Sequence, residues 1–357
     1  MLNTGDGGAG TVTDAGDTSQ CATGSAVAAR LPVYLQFVLD GSGSMNGPGS
    51  WTAATGALKD IFTEMKTAAD KGVGAGLIVF MDENDPNLNT GTDPVYPSSA
   101  DVPVDFVSDA QLGKLIARTA PPDQGKSNTP TGLALTGAYA SLTQFKATPS
   151  LTAGGKKVVV LITDGAPTDH TCKVENKGPT EDYTQNGCVK MAATEFAAPQ
   201  GAEGIETFVI GVGPLMLTNT YDPYFLGALA VAGGSAPKAC DPKSTTAASL
   251  CFFSVDPAAS TDIKGAFMTA IDQIRGQVAS CTLALEAATG PIDPMKVRVS
   301  LDGHSVYQDP VDGWVYDNPA NPTKVVLNGK SCDELRSNPK ANISVVLGCA
   351  VEVPPVK

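Results

Sequence analysis

Apolar residues fall into two rhythms along this chain, short unbroken runs and stripes that recur every three or four positions. LPVYLQFVLD (Leu31–Asp40) is nearly all apolar and predicts a strand buried on both faces. GLIVF (Gly76–Phe80), KVVVLIT (Lys157–Thr163) and ETFVIGVG (Glu206–Gly213) repeat that texture, and VPVDFV (Val102–Val107) predicts an edge strand. Between them Ala57, Leu58, Ile61, Phe62, Met65 and Ala69 recur at helical spacing. Leu133, Ala134, Ala138, Leu142 and Phe145 do the same, a short helix precedes Glu206, and Ile263, Phe267, Ile271, Ile274 and Val278 mark a last stripe. Strands alternating with amphipathic helices predict an α/β fold, doubly wound around a mostly parallel sheet. In such sheets polar chemistry gathers in the loops beyond the strands' carboxyl ends.

The rhythm changes near Cys281. VRVSLDGHSVY alternates on either side of Asp302-Gly303, a hairpin signal, and WVY, KVVL and NISVVLGC continue the short-strand style. The expected organisation is a flexible linker over 1–20, the α/β domain over 21–281 and a small all-β appendage over 282–357.

Three distant segments place hard oxygen donors directly after a strand or at a helix start. Asp40, Ser42 and Ser44 come from DGSGS, Thr129 from SNTPTG, and Asp164 from ITDG. Two carboxylates and three hydroxyls supply the near-octahedral oxygen shell that Mg2+ or Mn2+ prefers, and Gly41, Gly43 and Gly165 permit the tight backbone this needs. Taken singly, each has a plainer reading. Asp40-Gly41 and Asp164-Gly165 make ordinary turns, Ser44 a helix cap, and Thr129-Pro130 an N-cap followed by proline at the first helical position. Their order and their placement on the right elements favour a single metal site.

With DxSxS at Asp40–Ser44, TxT at Thr129–Thr131 and DG at Asp164-Gly165, residues 31–281 resemble a von Willebrand factor A domain with a metal-ion-dependent adhesion site (MIDAS). The resemblance implies a six-stranded Rossmann-like sheet, five strands parallel and one edge strand antiparallel. It implies Ser42, Ser44 and Thr129 as direct ligands, with Thr131 the alternative to Thr129, and Asp40 and Asp164 acting through waters. A cation held mainly by neutral hydroxyls keeps its charge toward the open position and seeks a carboxylate on a protein partner. Adhesion or ligand capture is therefore the expected function, not catalysis, since both nearby carboxylates are committed to the metal. The competing expectation is a scaffolding role in which the metal only stabilises the loops. Asn46, Trp51, Thr131 and His170 are the candidate ligand contacts, with packing under the loop the rival role for Trp51 and a plain surface imidazole for His170. The wording DGSGSM is similar to bacterial secreted or lipoprotein members of the family.

Charge and cysteines narrow the setting. Lys and Arg total 24 against 37 Asp and Glu, a net charge of −13, which repels phosphate backbones and argues against nucleic acid. Apolar runs fall short of a membrane span. The polar, glycine-rich start is not a signal peptide, so the expectation is an export signal and lipid anchor upstream of Met1 and a location at the cell surface or outside the cell. Eight cysteines without CxxC spacing favour disulfides in an oxidising compartment over zinc. The expected pairs are Cys172–Cys188, a staple in the insertion after Asp164, and Cys240–Cys251. Cys21–Cys281 would join the ends of the A domain that the resemblance implies, and Cys332–Cys349 would lie in the appendage. The acidic run Met81–Asp93 fails as an EF-hand, since position six falls on Thr90 and position twelve on Tyr96 when the loop begins at Asp85.

Overall fold

A computed structural model describes residues 24–26, 28–30, 32–46, 49–69, 72–80, 100–119, 129–164, 167, 204–216, 221–278, 281–285, 296–338 and 341–347. The chain divides into two compact units. One is Leu31–Val278; the other joins Met1–Arg30 to Ala279–Lys357. Two three-residue strands, β1 (Gly24–Ala26) and β2 (Ala28–Arg30), come first. The larger unit follows with β3 (Val33–Asp40), α1 (Ser50–Ala68), β4 (Val73–Phe80), β5 (Val102–Phe106), α2 (Asp109–Ala117), α3 (Thr131–Gln144), β6 (Lys156–Thr163), β7 (Ile205–Val212), α4 (Pro223–Ala232), β8 (Phe253–Val255) and α5 (Ile263–Val278). The second unit resumes with β9 (Thr282–Leu285), β10 (Val297–Leu301), β11 (His304–Val306), β12 (Trp314–Tyr316), β13 (Lys324–Leu327), α6 (Gly329–Ser337) and β14 (Ile343–Leu347).

The larger unit is a single six-stranded sheet in the order β5-β4-β3-β6-β7-β8. All neighbours run parallel except β4 and β5, which are antiparallel. Every residue of β3 is buried, because helices cover both faces. Leu35, Phe37 and Leu39 pack with Leu58, Ile61 and Phe62 of α1 and Phe267, Ile271 and Ile274 of α5. Tyr34 and Val38 face Leu135, Tyr139 and Leu142 of α3, in the same core as Phe225, Leu226 and Leu229 of α4. Burying each of these large apolar side chains contributes about 1.5–3 kcal/mol against leaving it in water. Such a sheet places the ends of β3 and β6 side by side, with Leu39 opposite Ile162.

Two elements of this unit carry weak apolar signals. Helix α2 is capped by Ser108, whose hydroxyl accepts from the Gln111 amide at 3.2 Å. Its buried face includes Gln111 itself, whose amide nitrogen donates to the Ala75 and Pro103 carbonyls at 2.9 and 2.8 Å. A glutamine that fills a register shift between β4 and β5 does not read as part of an apolar stripe. Strand β8 has three residues and pairs with the end of β7.

The second unit holds two four-stranded antiparallel sheets, β1-β14-β10-β11 and β12-β13-β9-β2. Leu283, Val299, Trp314, Val325, Leu335 and Val345 share its core. The expected hairpin is present: Asp302 and Gly303 take positive φ (47° and 84°) and Leu301 pairs with His304. The expected boundaries at 21 and 281 shift, however. Residues Gly24–Arg30 pair with β14 and β9, so they belong with the C-terminal strands. GSA and AAR are too short and too small in side chain to show an apolar period. The appendage also contains a helix, α6.

That helix corrects the cysteine pairing. Cys281 is bonded to Cys332, with Cα atoms 5.4 Å apart, in place of the expected Cys21–Cys281 and Cys332–Cys349. The Leu327 amide donates to the Cys281 carbonyl at 2.7 Å, and β13 leads directly into α6, so Cys332 lies in the first turns of a helix that starts beside Cys281. Cys240 is bonded to Cys251, as expected, with Cα atoms 5.0 Å apart. Cys21, Cys172, Cys188, Cys349, Gly165, His170 and Met81–Asp93 lie outside the described residues. Among the described residues no helix is long and apolar enough to cross a membrane.

Candidate metal site

Asp40 is the last residue of β3 and is fully buried. Both carboxylate oxygens are engaged. Oδ1 accepts from the Ser42 amide at 2.8 Å, and Oδ2 accepts from the Thr163 hydroxyl at 2.5 Å. The chain then turns away from the sheet edge: Gly41 donates its amide to the Phe80 carbonyl of β4 at 2.8 Å, and Gly43–Asn46 form a 3-10 turn. Met45 is fully buried among the core residues under α1 and anchors this loop. The anchoring leaves Ser44 and Asn46 exposed on either side of Met45, with Ser42 buried before them.

The hydroxyls and the third segment's carboxylate converge. Ser42 Oγ lies 3.0 Å from Ser44 Oγ, and Ser44 Oγ donates to Asp164 Oδ1 at 2.8 Å. An octahedron with metal–oxygen distances of about 2.0–2.1 Å has edges of about 2.8–3.0 Å. The Ser42–Ser44 and Ser44–Asp164 spacings each match such an edge. Asp40, with both oxygens occupied, stands behind that cluster.

Electrostatics point the same way. Burial, then the neighbouring Asp40 charge, push the Asp164 carboxyl up to about 8, against the bond from Ser44. Burial also raises Asp40, opposed by its bonds from Thr163 and Ser42. Two desolvated carboxylates, the Asp40 charge raising the proton affinity of Asp164, form a site that favours added positive charge, whether a proton or a cation. Among the described residues no group of three or more His, Cys, Asp or Glu is gathered; the donors at the site are mainly hydroxyls.

The second segment sits at the start of α3. Thr129 and Thr131 are both buried. The helix begins at Thr131 with Pro130 in the capping position, so Thr129 is not the N-cap followed by proline that the plainer reading requires. Thr131 turns its hydroxyl back to the Thr129 carbonyl at 3.4 Å. Thr131 is fully buried, as Asp40 is. Trp51 is 6% exposed and packs in the core with Met45 and the α1 residues. A tryptophan on the first turn of a helix faces either way, and here the apolar stripe of α1 extends back to include it. Asn46 remains at the surface beside Ser44.

Three further residues shape the site. Thr163 links the buried Asp40 to β6. Tyr221 is buried against the end of β7, and its ionisation is pushed up by burial and by Asp256, Asp164 and Asp222. A Cβ on Gly213 would come within 2.7 Å of the Tyr221 ring, and one on Gly211 within 2.5 Å of its hydroxyl. GVG is therefore required by the close approach of this ring. Asp222 caps α4, its Oδ1 accepting from the amides of Tyr224 and Phe225 at 3.0 Å each. Asp222-Pro223 carries the sequence signature of such a cap.

This arrangement defines a class: a doubly wound α/β domain with a hydroxyl-and-carboxylate site at the carboxyl edge of its sheet. The von Willebrand factor type A domain family model matches residues 35–236, over half of the 357 residues, and the chain belongs to that family. Similar solved structures include the conserved hypothetical protein BatB from Bacteroides thetaiotaomicron, at 18% identity over 68% of this chain and 98% of that one, TM-score 0.39. Another is the pilus adhesin SpaC from Lactobacillus rhamnosus GG, at 15% identity over 90% of this chain and 38% of that one, TM-score 0.45. A third is proximal thread matrix protein 1 from the mussel byssus, with zinc in its MIDAS motif, at 14% identity over 69% of this chain and 48% of that one, TM-score 0.35. The match thus spans less than half the length of the last two proteins. No protein with a curated description matches.

Proposed function

We propose that this chain is a cell-surface or extracellular binding protein in which a divalent cation, Mg2+ or Mn2+, captures a carboxylate on a protein partner. Ser42, Ser44 and Thr129 would hold the cation directly, and Asp40 and Asp164 would act from behind them. The observation that carries this reading is the 3.0 Å spacing of the Ser42 and Ser44 hydroxyl oxygens, an edge that fits one hard cation, with the Asp164 carboxylate held against Ser44 at 2.8 Å. The cation supplies a Lewis-acidic position for an outside carboxylate. The chain's own part is to hold neutral hydroxyls against it, so its charge is not spent internally, and to keep the Asp40 anion buried. The two disulfides, Cys240–Cys251 and Cys281–Cys332, support an oxidising compartment.

The test is calorimetric titration with Mg2+ and Mn2+, followed by capture of surface proteins with and without EDTA, for wild type and Ser44→Ala. The expected result is cation binding in wild type, with capture that EDTA and Ser44→Ala both abolish. Absence of cation binding refutes the reading. A cation that raises thermal stability while capture is indifferent to EDTA establishes the scaffolding role instead.

A further inference from the structure

We infer that Thr163 is a positioning residue for the cation site, acting through the buried Asp40 carboxylate; this rests on the cation reading above. Three observations carry it. First, Asp40 and Thr163 are both fully buried, so the 2.5 Å bond from Thr163 Oγ1 to Asp40 Oδ2 is made without water competing for either partner. Hydrogen bonds to an ionised acceptor in such surroundings are the strong ones.

Second, the bond decides where the carboxylate points. Ser42 bonds the carboxylate through its amide, at Oδ1, and through its hydroxyl, and a carboxylate held from that side alone still turns about its Cβ–Cγ bond. The Thr163 hydroxyl holds the other oxygen and removes that freedom.

Third, the bond is one of two consecutive struts between the same pair of segments. Thr163 bonds Asp40, and its neighbour Asp164 accepts from Ser44 at 2.8 Å. The end of β3 and the loop after it are thereby tied twice to the end of β6, at positions that parallel pairing already sets side by side. Losing the inner strut frees Asp40, already bonded to Ser42, to turn further toward Ser44, where it would compete with an outside carboxylate for the cation. The hydroxyl of Thr163 therefore keeps the anion behind the hydroxyl donors and not among them.

Thr163→Val preserves volume and β-branching and removes only the donor. Thr163→Ser keeps the donor. Titration of each with Mg2+ alone, with the Mg2+-induced rise in melting temperature measured in parallel, separates positioning from plain stability. The expected result is a Kd for Mg2+ about ten- to a hundred-fold weaker in Thr163→Val, the range of a hydrogen bond to a charged group, with Thr163→Ser within about twofold of wild type. A purely structural role would lower the melting temperature of the metal-free protein and leave the Mg2+-induced increment unchanged. That outcome, or a Thr163→Val Kd equal to wild type, overturns the inference. Thr163→Ala is the second donor-free variant; if both donor-free variants fail to fold, the hydroxyl is a stability element and the positioning assignment is overturned. Failure of wild type itself to bind Mg2+ sinks the cation reading, a result distinct from all of these.

Discussion

Protonation and cation binding compete at Asp164, and the competition has a computable size. Its carboxyl is raised to about 8 by burial first and by the Asp40 charge second. Below that pH the metal-free protein carries a proton there, and an incoming cation must displace it. One displaced proton makes the Mg2+ affinity climb about fifty-fold from pH 6 to pH 8, then only about twofold above pH 8. Stability without metal runs the other way. A carboxyl whose folded-state value exceeds its unfolded value stabilises the fold most at low pH. That contribution is complete below pH 3.8 and is lost as pH rises through about 8. Saturating Mg2+ should abolish or reverse the loss.

The assay is calorimetric titration with Mg2+ at pH 6, 7, 8 and 9, each in two buffers of different ionisation enthalpy. The buffer-dependent part of the heat counts released protons: about one at pH 6 and about half at pH 8. An affinity that is flat between pH 6 and 8, with heats independent of buffer, would refute the electrostatic argument.

Two other consequences are as direct. Gly213→Ala drives a methyl within 2.7 Å of the Tyr221 ring, so it should destabilise the larger unit by about 1–3 kcal/mol, read as a lower urea midpoint with unchanged slope. Non-reducing peptide mapping should recover Cys281 linked to Cys332, which close a separation of 51 residues; replacing both by Ser should cost about 4 kcal/mol in the chain-entropy account of such loops, measured by denaturant unfolding.

The strands that place the site were legible because they are buried on both faces. LPVYLQFVLD and KVVVLIT read as apolar runs for the same reason that Val33–Asp40 and Val158–Thr163 are buried throughout. Two of the donor segments fall at strand ends and the third at a helix start, and the spatial meeting of Ser42, Ser44 and Asp164 follows from the parallel order of β3 and β6. What stayed hidden depends on contacts with no local period. Gln111 spans a strand irregularity, Thr163 matters only through Asp40 across two strands, and Trp51 points inward because α1 starts about two turns before its clearest stripe. The Cys281–Cys332 bond depends on a helix in a region whose short alternating runs read as strands.

The register of β2 with β9 pairs Ala29 with Ala284, partners made at opposite ends of synthesis. At ribosomal rates of about 5–20 residues per second the first waits roughly 13–50 s for the second. The intervening α/β unit is complete at Val278, before β9 emerges, so it has its whole sheet available while the N-terminal strands still lack theirs. An exported chain of this design would mature from the middle outward, and a truncation in its last eighty or so residues should spare the sheet around Asp40 while leaving β1 and β2 unpaired.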